Sequence, residues 1–157
     1  MGYYRHVYAV VDSSCLISLA WAGLLDLLGC APVDLVVPGE VVRETVEDGL
    51  GQGYPDAAAI GAAVKPLTIA EPIDADTVDE SVLAVGRLHG IVITNDLALG
   101  RRAANVGLRW LRTADLVVLC VRTDRIGRAR GAAAVRALRG AGRITDDLAR
   151  AYLEELT

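Results

Sequence analysis

Two stretches of this chain follow one rule. Val7-Tyr8-Ala9-Val10-Val11 is short, apolar and largely β-branched, and it ends in Asp12-Ser13-Ser14. Gly90-Ile91-Val92-Ile93 is equally apolar and ends in Thr94-Asn95-Asp96. A helix-period apolar pattern follows each at once: Leu16, Ile17, Leu19, Ala20, Leu24, Leu25, Leu27 and Leu28 after the first, and Leu97 to Asn105 after the second. Runs this short suit strands buried on both faces, and strands that hand over directly to helices are those of parallel sheets. In an open α/β sheet, ligands sit beyond the carboxyl ends of the strands. The rule therefore places Asp12 and Asp96 at a crevice, and brings them together if the two strands are neighbours.

The rest of the chain continues the alternation. Asp34-Leu35-Val36-Val37-Pro38 predicts a second strand, about Val64 to Ile69 a third, and Leu108 to Leu111 a fifth, after the one that precedes Asp96. Helices are predicted over Gly39 to Asp48, Asp56 to Val64, Asp76 to His89, Leu97 to Asn105 and Ala114 to Val121, with Thr113 capping the last of these. Gly90 reads as the left-handed residue that ends its helix, and Gly49 to Pro55 reads as a mobile loop. Arg128 to Arg139 and Thr145 to Leu156 predict a closing helical pair, with Thr145 capping the second. The expected fold is α/β: a three-layer α/β/α sandwich around a central parallel sheet of about five strands, plus the C-terminal helical pair. The expected organisation is a single domain over 1–157, with 128–157 as a helical extension.

The length of 157 residues and the 53% hydrophobic content suit one substantial core and argue against disorder. No apolar run approaches about 18 residues, and Asp12 interrupts the stretch after the N-terminus where a secretory signal would need continuity. A cytoplasmic location without membrane contact is expected. Cys15, Cys30 and Cys120 are too few and too scattered for a disulfide framework or a zinc site, and read as small buried hydrophobes.

The net charge of −4 hides an asymmetry: residues 1–96 carry 4 basic and 14 acidic side chains (−10), residues 97–157 carry 12 basic and 6 acidic (+6). Acids beside an arginine-rich half suit an enzyme that acts on phosphodiesters with a bound metal; solvent-facing arginines on helices account for the same numbers.

Four acids fall at the ends of elements or inside early helical turns: Asp12, Glu44, Asp79 and Asp96. For Glu44 a solvated helix position is the plain alternative, and for Asp79 and Glu80 a favourable place at a helix N-terminus. Two unpaired carboxylates about 4 Å apart repel by roughly 4 kcal/mol at an effective dielectric near 20, so such a cluster must take up a proton or a cation. Oxygen ligands without Cys or His select hard ions such as Mg²⁺ or Mn²⁺. The two histidines, His6 and His89, lie at no strand's carboxyl end and read as incidental.

At this point the residues resemble a family. Val10-Val11-Asp12-Ser13-Ser14-x-Leu16-Ile17, then Val37-Pro38-x-x-Val41-x-x-Glu44, then Asp79 ahead of Ile91-Val92-Ile93-Thr94-Asn95-Asp96, is similar to the PIN-domain nucleases, and within them to the branch related to VapC-type toxins. The tail, with Gly142-Arg143-Ile144-Thr145-Asp146-Asp147-Leu148, resembles the extra C-terminal helical pair of one PIN branch. The resemblance implies a metal-dependent endoribonuclease, the toxin of a toxin–antitoxin pair, with Mg²⁺ or Mn²⁺ as cofactor. It implies Asp12 as central ligand, Glu44, Asp79 and Asp96 as the other catalytic and metal-binding acids, and Ser14 with Thr94 or Asn95 as residues that orient them. Glu80 is the alternative third acid, one residue from Asp79. Where toxin relatives carry a further acid just after Asp96, this chain has Leu97, Ala98 and Leu99. Arg101, Arg102 and Arg109 are the nearest candidates for RNA phosphates. RNA, a cognate antitoxin and a second copy of the chain are the implied partners.

Two other readings fit parts of the pattern. A non-catalytic PIN-like module for RNA or protein binding would need no acids. A phosphatase with Asp12 as nucleophile would need a second acid where Ser14 stands, and the only lysine, Lys65, is poorly placed for it.

Overall fold

The computed structural model describes residues 7–157, so the reading of His6 lies outside the described residues. The apolar runs form five strands: β1 (Tyr8–Val11), β2 (Asp34–Pro38), β3 (Thr68–Ala70), β4 (Ile91–Ile93) and β5 (Arg109–Leu111). All pairs are parallel, in the order β3-β2-β1-β4-β5. The order reverses direction between β1 and β4, the point at which open sheets of this kind leave a crevice. In that register Val10 pairs with Val92 and Val11 with Ile93, so both strands end level.

Burial explains why β1 is central. Ala9, Val10, Val11, Val92 and Ile93 have no exposed surface, as strands covered on both faces require. Each such Val or Ile contributes about 1.5–3 kcal/mol by leaving water. Helices cover the two faces and give the α/β/α layers expected: α5 (Val78–His89) packs on β1, β4 and β2, while α1 (Ser13–Trp21) meets α4 (Ala57–Val64), α7 (Thr113–Arg122) and α8 (Arg128–Gly140).

Several boundaries differ from the sequence reading. The helix after Asp12 stops at Trp21, because Gly23 adopts a left-handed φ of 71°. Its N–H bonds Ala20 O at 3.1 Å and that of Leu24 bonds Leu19 O at 2.7 Å, which satisfies the last carbonyls. Leu25–Cys30 then forms a separate 3₁₀ helix. Val64 ends α4 instead of starting a strand, and β3 begins four residues later. The expected loop at 49–55 is helical in its first part, since α2 (Gly39–Val42), a π turn (Arg43–Glu47) and α3 (Asp48–Gly51) run on without interruption. α7 starts one residue early: Arg112 caps it, and the Asp115 carboxylate accepts the Arg112 N–H at 2.7 Å. Of the three cysteines, Cys15 and Cys120 are buried as expected, whereas Cys30 is only half-buried.

Gly90 has the predicted left-handed conformation (φ 90°) and turns the chain sharply from α5 into β4. The C-terminal pair, α8 and α9 (Asp146–Glu155), packs against α7. Thr145 caps α9 by accepting the Leu148 N–H, and Tyr152 Oη donates to Asp115 at 2.9 Å. Among the described residues no helix is long and apolar enough to cross a membrane.

Candidate active site

Asp12 is the residue that ends β1 and opens α1. Its N–H donates to Ile93 O at 3.0 Å, one rung beyond the last paired residues, and its extended backbone then admits the first helical residue, Ser13. Only 5% of Asp12 is exposed. Burying a carboxylate demands donors, and two hydroxyls supply them: Ser14 Oγ at 2.8 Å and Thr94 Oγ1 at 2.7 Å, both to Oδ2. Each hydroxyl has one proton to give and lone pairs to receive. The Asn95 N–H accordingly donates to Ser14 Oγ at 2.9 Å, and the Asp96 N–H to Thr94 Oγ1 at 3.0 Å. The backbone following β4 thus fixes the direction in which both hydroxyls point their protons.

The other acids stand around Asp12 on three further elements, with Asp79 within electrostatic reach of all the rest. Glu44 lies in the π turn, a distortion that frequently marks functional positions; although exposed at the surface, it accepts a 2.7 Å bond from Ser13 Oγ, next to Asp12. Asp96 caps α6 (Leu97–Asn105), its Oδ1 taking the Leu99 N–H at 3.0 Å. Asp79 is partly buried in the first turn of α5. Burial raises its pKa, the charges of Asp12 and Asp96 raise it further, Arg102 opposes them, and Glu44 adds to the rise. Asp79 therefore senses all three other acids, whereas Glu80 is exposed and its N–H bonds the capping Thr77 Oγ1.

Asn95 corrects one expectation: its side chain orients no carboxylate. Its Oδ1 accepts the Thr113 N–H at 3.0 Å and its Nδ2 donates to Ser18 Oγ at 2.8 Å, so the side chain is committed between α1 and the start of α7. Four residues that had no role at the site in the sequence reading complete the support. Ser13 holds Glu44; Ser18 joins Asn95 to Arg143, whose Nε donates to it at 2.9 Å; the Thr113 N–H donates to Asn95 Oδ1; Trp110 Nε1 donates to Thr94 O at 3.0 Å. Ser13 carried a signal, as a hydroxyl at the junction itself. The other three act across 16 residues or more and carried none.

The arginines divide. Arg101 and Arg102 are exposed on α6, with Arg102 close enough to Asp79 to pull its pKa down. Arg109 is a correction: it pairs with Ile91 at the amino ends of β4 and β5, opposite the edge that carries the acids.

The donor set suits a hard divalent ion in chemistry, being oxygen-only, anionic and self-repelling. In spacing it is open: among the described residues, no three Asp, Glu, His or Cys side chains stand close enough to hold an ion by themselves. A bound ion would need water or substrate oxygens to complete its shell, which is usual for Mg²⁺.

A parallel sheet with a reversal between β1 and β4, and acids gathered beyond that reversal, defines an open three-layer α/β protein with a carboxylate site. The chain belongs to the PIN-domain family: a family model described as a PIN domain matches residues 8–157. PIN domains are in general a nuclease fold and generally use divalent metal ions. No curated protein matches the sequence. One similar solved structure is a PilT N-terminus domain protein from the hyperthermophilic archaeon Sulfolobus solfataricus P2, with 15% identity and a TM-score of 0.49 over 73% of this chain and 94% of that one.

Proposed function

We propose that this chain is a Mg²⁺- or Mn²⁺-dependent endoribonuclease, acting in the cytoplasm as the toxin of a toxin–antitoxin pair. The observation that carries the nuclease reading is the electrostatic coupling of Asp79 to Asp12, Asp96 and Glu44 around a buried, doubly hydrogen-bonded Asp12. The toxin assignment is supported by the resemblance to the VapC-related branch, which also implies RNA, a protein antitoxin and a second copy of the chain as partners.

In this reading Asp12, Glu44, Asp79 and Asp96 would supply the ligands of the metal, with water or substrate oxygens completing its shell. A divalent ion held there would supply charge neutralisation, a more acidic bound water and stabilisation of the leaving oxygen of the phosphodiester. The chain's own residues do the positioning. Ser14 and Thr94 both donate to Asp12 Oδ2, which fixes the orientation of that carboxylate. Ser13 holds Glu44, and the Leu99 N–H holds Asp96. Arg101 and Arg102, exposed on α6 just past Asp96, would contact RNA phosphates. No side chain acts as a nucleophile.

The wide spacing of the acids favours one second reading, a non-catalytic PIN-like module that binds RNA or protein. Purified protein and an Asp12→Asn variant, incubated with mixed RNA and either Mn²⁺ or a chelator, separate the two. The nuclease reading expects cleavage by the unaltered protein with Mn²⁺ alone. Cleavage that is absent, or indifferent to both chelator and substitution, sinks it.

A further inference from the structure

Beside the acids lies a cavity of about 560 Å³ that shares a wall with them. Glu44 belongs to both, since it accepts the Ser13 hydroxyl and also lines the cavity together with Ile17, Trp21, Tyr54, Asp56 and Ile60. Trp21 and Tyr54 are 57% and 59% exposed, an arrangement that core packing does not require.

The Trp21 ring and the Tyr54 backbone are held in place. The Arg143 guanidinium lies 4.9 Å from the Trp21 ring centroid, and its Nε bond to Ser18 ties it to α1. The Tyr54 N–H donates to Gly49 O at 2.8 Å, which folds the chain after α3 back onto the helix. Gly49 lets α4 come close: a Cβ there would stand 2.9 Å from the Ala57 Cβ, while the Tyr54 ring lies at ordinary contact distance.

The charge of the lining says what kind of ligand fits. Glu44 and Asp56 are its charged members, so a phosphate is repelled while N–H donors are favoured. Asp56 stands at the N-cap of α4 but makes no capping bond with its side chain, so its carboxylate remains available as an acceptor. Flat aromatic faces, an apolar floor and an uncommitted carboxylate match a nucleobase, which offers a π face for stacking and N–H groups on its edge.

We infer that this groove is a nucleobase subsite: an unpaired base beside the scissile phosphate stacks on Trp21 and Tyr54 and gives an amino or imino proton to Asp56. The inference rests on the ribonuclease reading and adds the element of substrate that the same site recognises. A base stacked inside a duplex presents no free face, so the groove selects single-stranded RNA.

The test uses the Asp12→Asn protein, which leaves RNA uncut, and a fluorescein-labelled single-stranded RNA oligonucleotide. A parallel series of the same oligonucleotide carries an abasic ribose at each position in turn. At one position the loss of the base is expected to weaken binding by about 5- to 150-fold, the range for one base stacked on an aromatic residue. Adding Trp21→Ala is expected to weaken the intact oligonucleotide by a similar factor and the abasic one no further. Tyr54→Phe retains affinity and Tyr54→Ala loses it; melting curves for each variant check the fold.

A flat abasic series, or a Trp21→Ala loss equal for intact and abasic RNA, overturns the subsite. So does a Trp21→Ala variant with unchanged RNA affinity but a changed mass in solution, which makes the groove an interface between copies. Base-dependent binding without Mn²⁺-dependent cleavage by the unaltered protein supports the subsite and removes the nuclease reading alone. Cleavage accompanied by a flat series does the reverse.

Discussion

Thr94 Oγ1 donates to the Asp12 carboxylate at 2.7 Å across 82 residues of sequence, and the same oxygen receives the Asp96 N–H at 3.0 Å. One hydroxyl therefore sets the orientation of the central acid and the start of the helix that carries another. Thr94 is fully buried, so neither bond has water as a substitute.

Thr94→Val keeps the shape and removes the hydroxyl. It is expected to destabilise the protein by about 1–3 kcal/mol, because a buried carboxylate loses a donor and an N–H loses its acceptor. Mn²⁺-dependent cleavage falls by about 10- to 100-fold, the effect of losing a residue that orients a metal ligand. Thr94→Ser retains most of both. Urea unfolding and RNA cleavage assays read the two effects.

On the proposed reading, a divalent ion binds the folded state and not the unfolded chain, whose acids are scattered. At a concentration about 100 times its dissociation constant, Mg²⁺ or Mn²⁺ adds roughly 2.7 kcal/mol, or about 5–10 °C in melting temperature for a chain of this size. Asp12→Asn removes most of that gain. Differential scanning calorimetry with and without chelator makes the measurement, and a shift that survives in Asp12→Asn contradicts the assignment.

Asp79 gives the ion-free protein a pH dependence of known sign. Its pKa is raised by burial and by Asp12, Asp96 and Glu44, so the folded state holds a proton over a range in which the unfolded state has lost it. The associated stability is fully present below the ordinary carboxylate value and lost as pH rises through the raised one. At neutral pH the ionised Asp79 is a strain, and Asp79→Asn is expected to melt higher than the unaltered protein in chelator. The advantage disappears in acid, below the ordinary carboxylate range.

Gly100 on α6 lies flat against Trp110: a Cβ there would stand 2.0 Å from ring atom Cε2. Gly100→Ala must displace the indole, which also holds Thr94 O. A cost of about 1–3 kcal/mol is expected for such overpacking, with reduced cleavage because the disturbance reaches Thr94. Gly107→Ala, where open space surrounds the site but φ is +83°, tests backbone strain alone and leaves cleavage by the folded protein intact.

The thiols differ in reactivity. Burial and the nearby Asp12 charge push the Cys15 thiol up to about 12, and burial pushes Cys120 up to about 11. Since the thiolate is the nucleophile, iodoacetamide at pH 8 is expected to modify half-buried Cys30 first and the other two only on unfolding. Peptide mass spectrometry after a timed pulse distinguishes the sites.

Local grammar made much of the architecture readable. A β-branched run of four residues followed at once by a helix pattern leaves few options but a buried parallel strand, which is why β1, β2, β4 and the junction acids Asp12 and Asp96 could be read from the chain. Glu44 and Asp79 stood out by their places in early helical turns and gained a role through the family pattern, and Gly90 through the conformation that only glycine adopts readily.

Local composition determined where strands stop, where helices start and which acids stand at those joints. Tertiary structure decided which joints meet: the pairing of β1 with β4 placed Thr94 on Asp12, and the packing of α1 against α7 turned Asn95 away from the acids toward Ser18 and Thr113. It put Arg109 at the wrong end of the sheet and set Trp21 and Tyr54 around one cavity. The physical reason is range: backbone preferences act within a few residues, whereas hydrogen bonds, ring contacts and charge couplings depend on distances that exist only after the chain has folded.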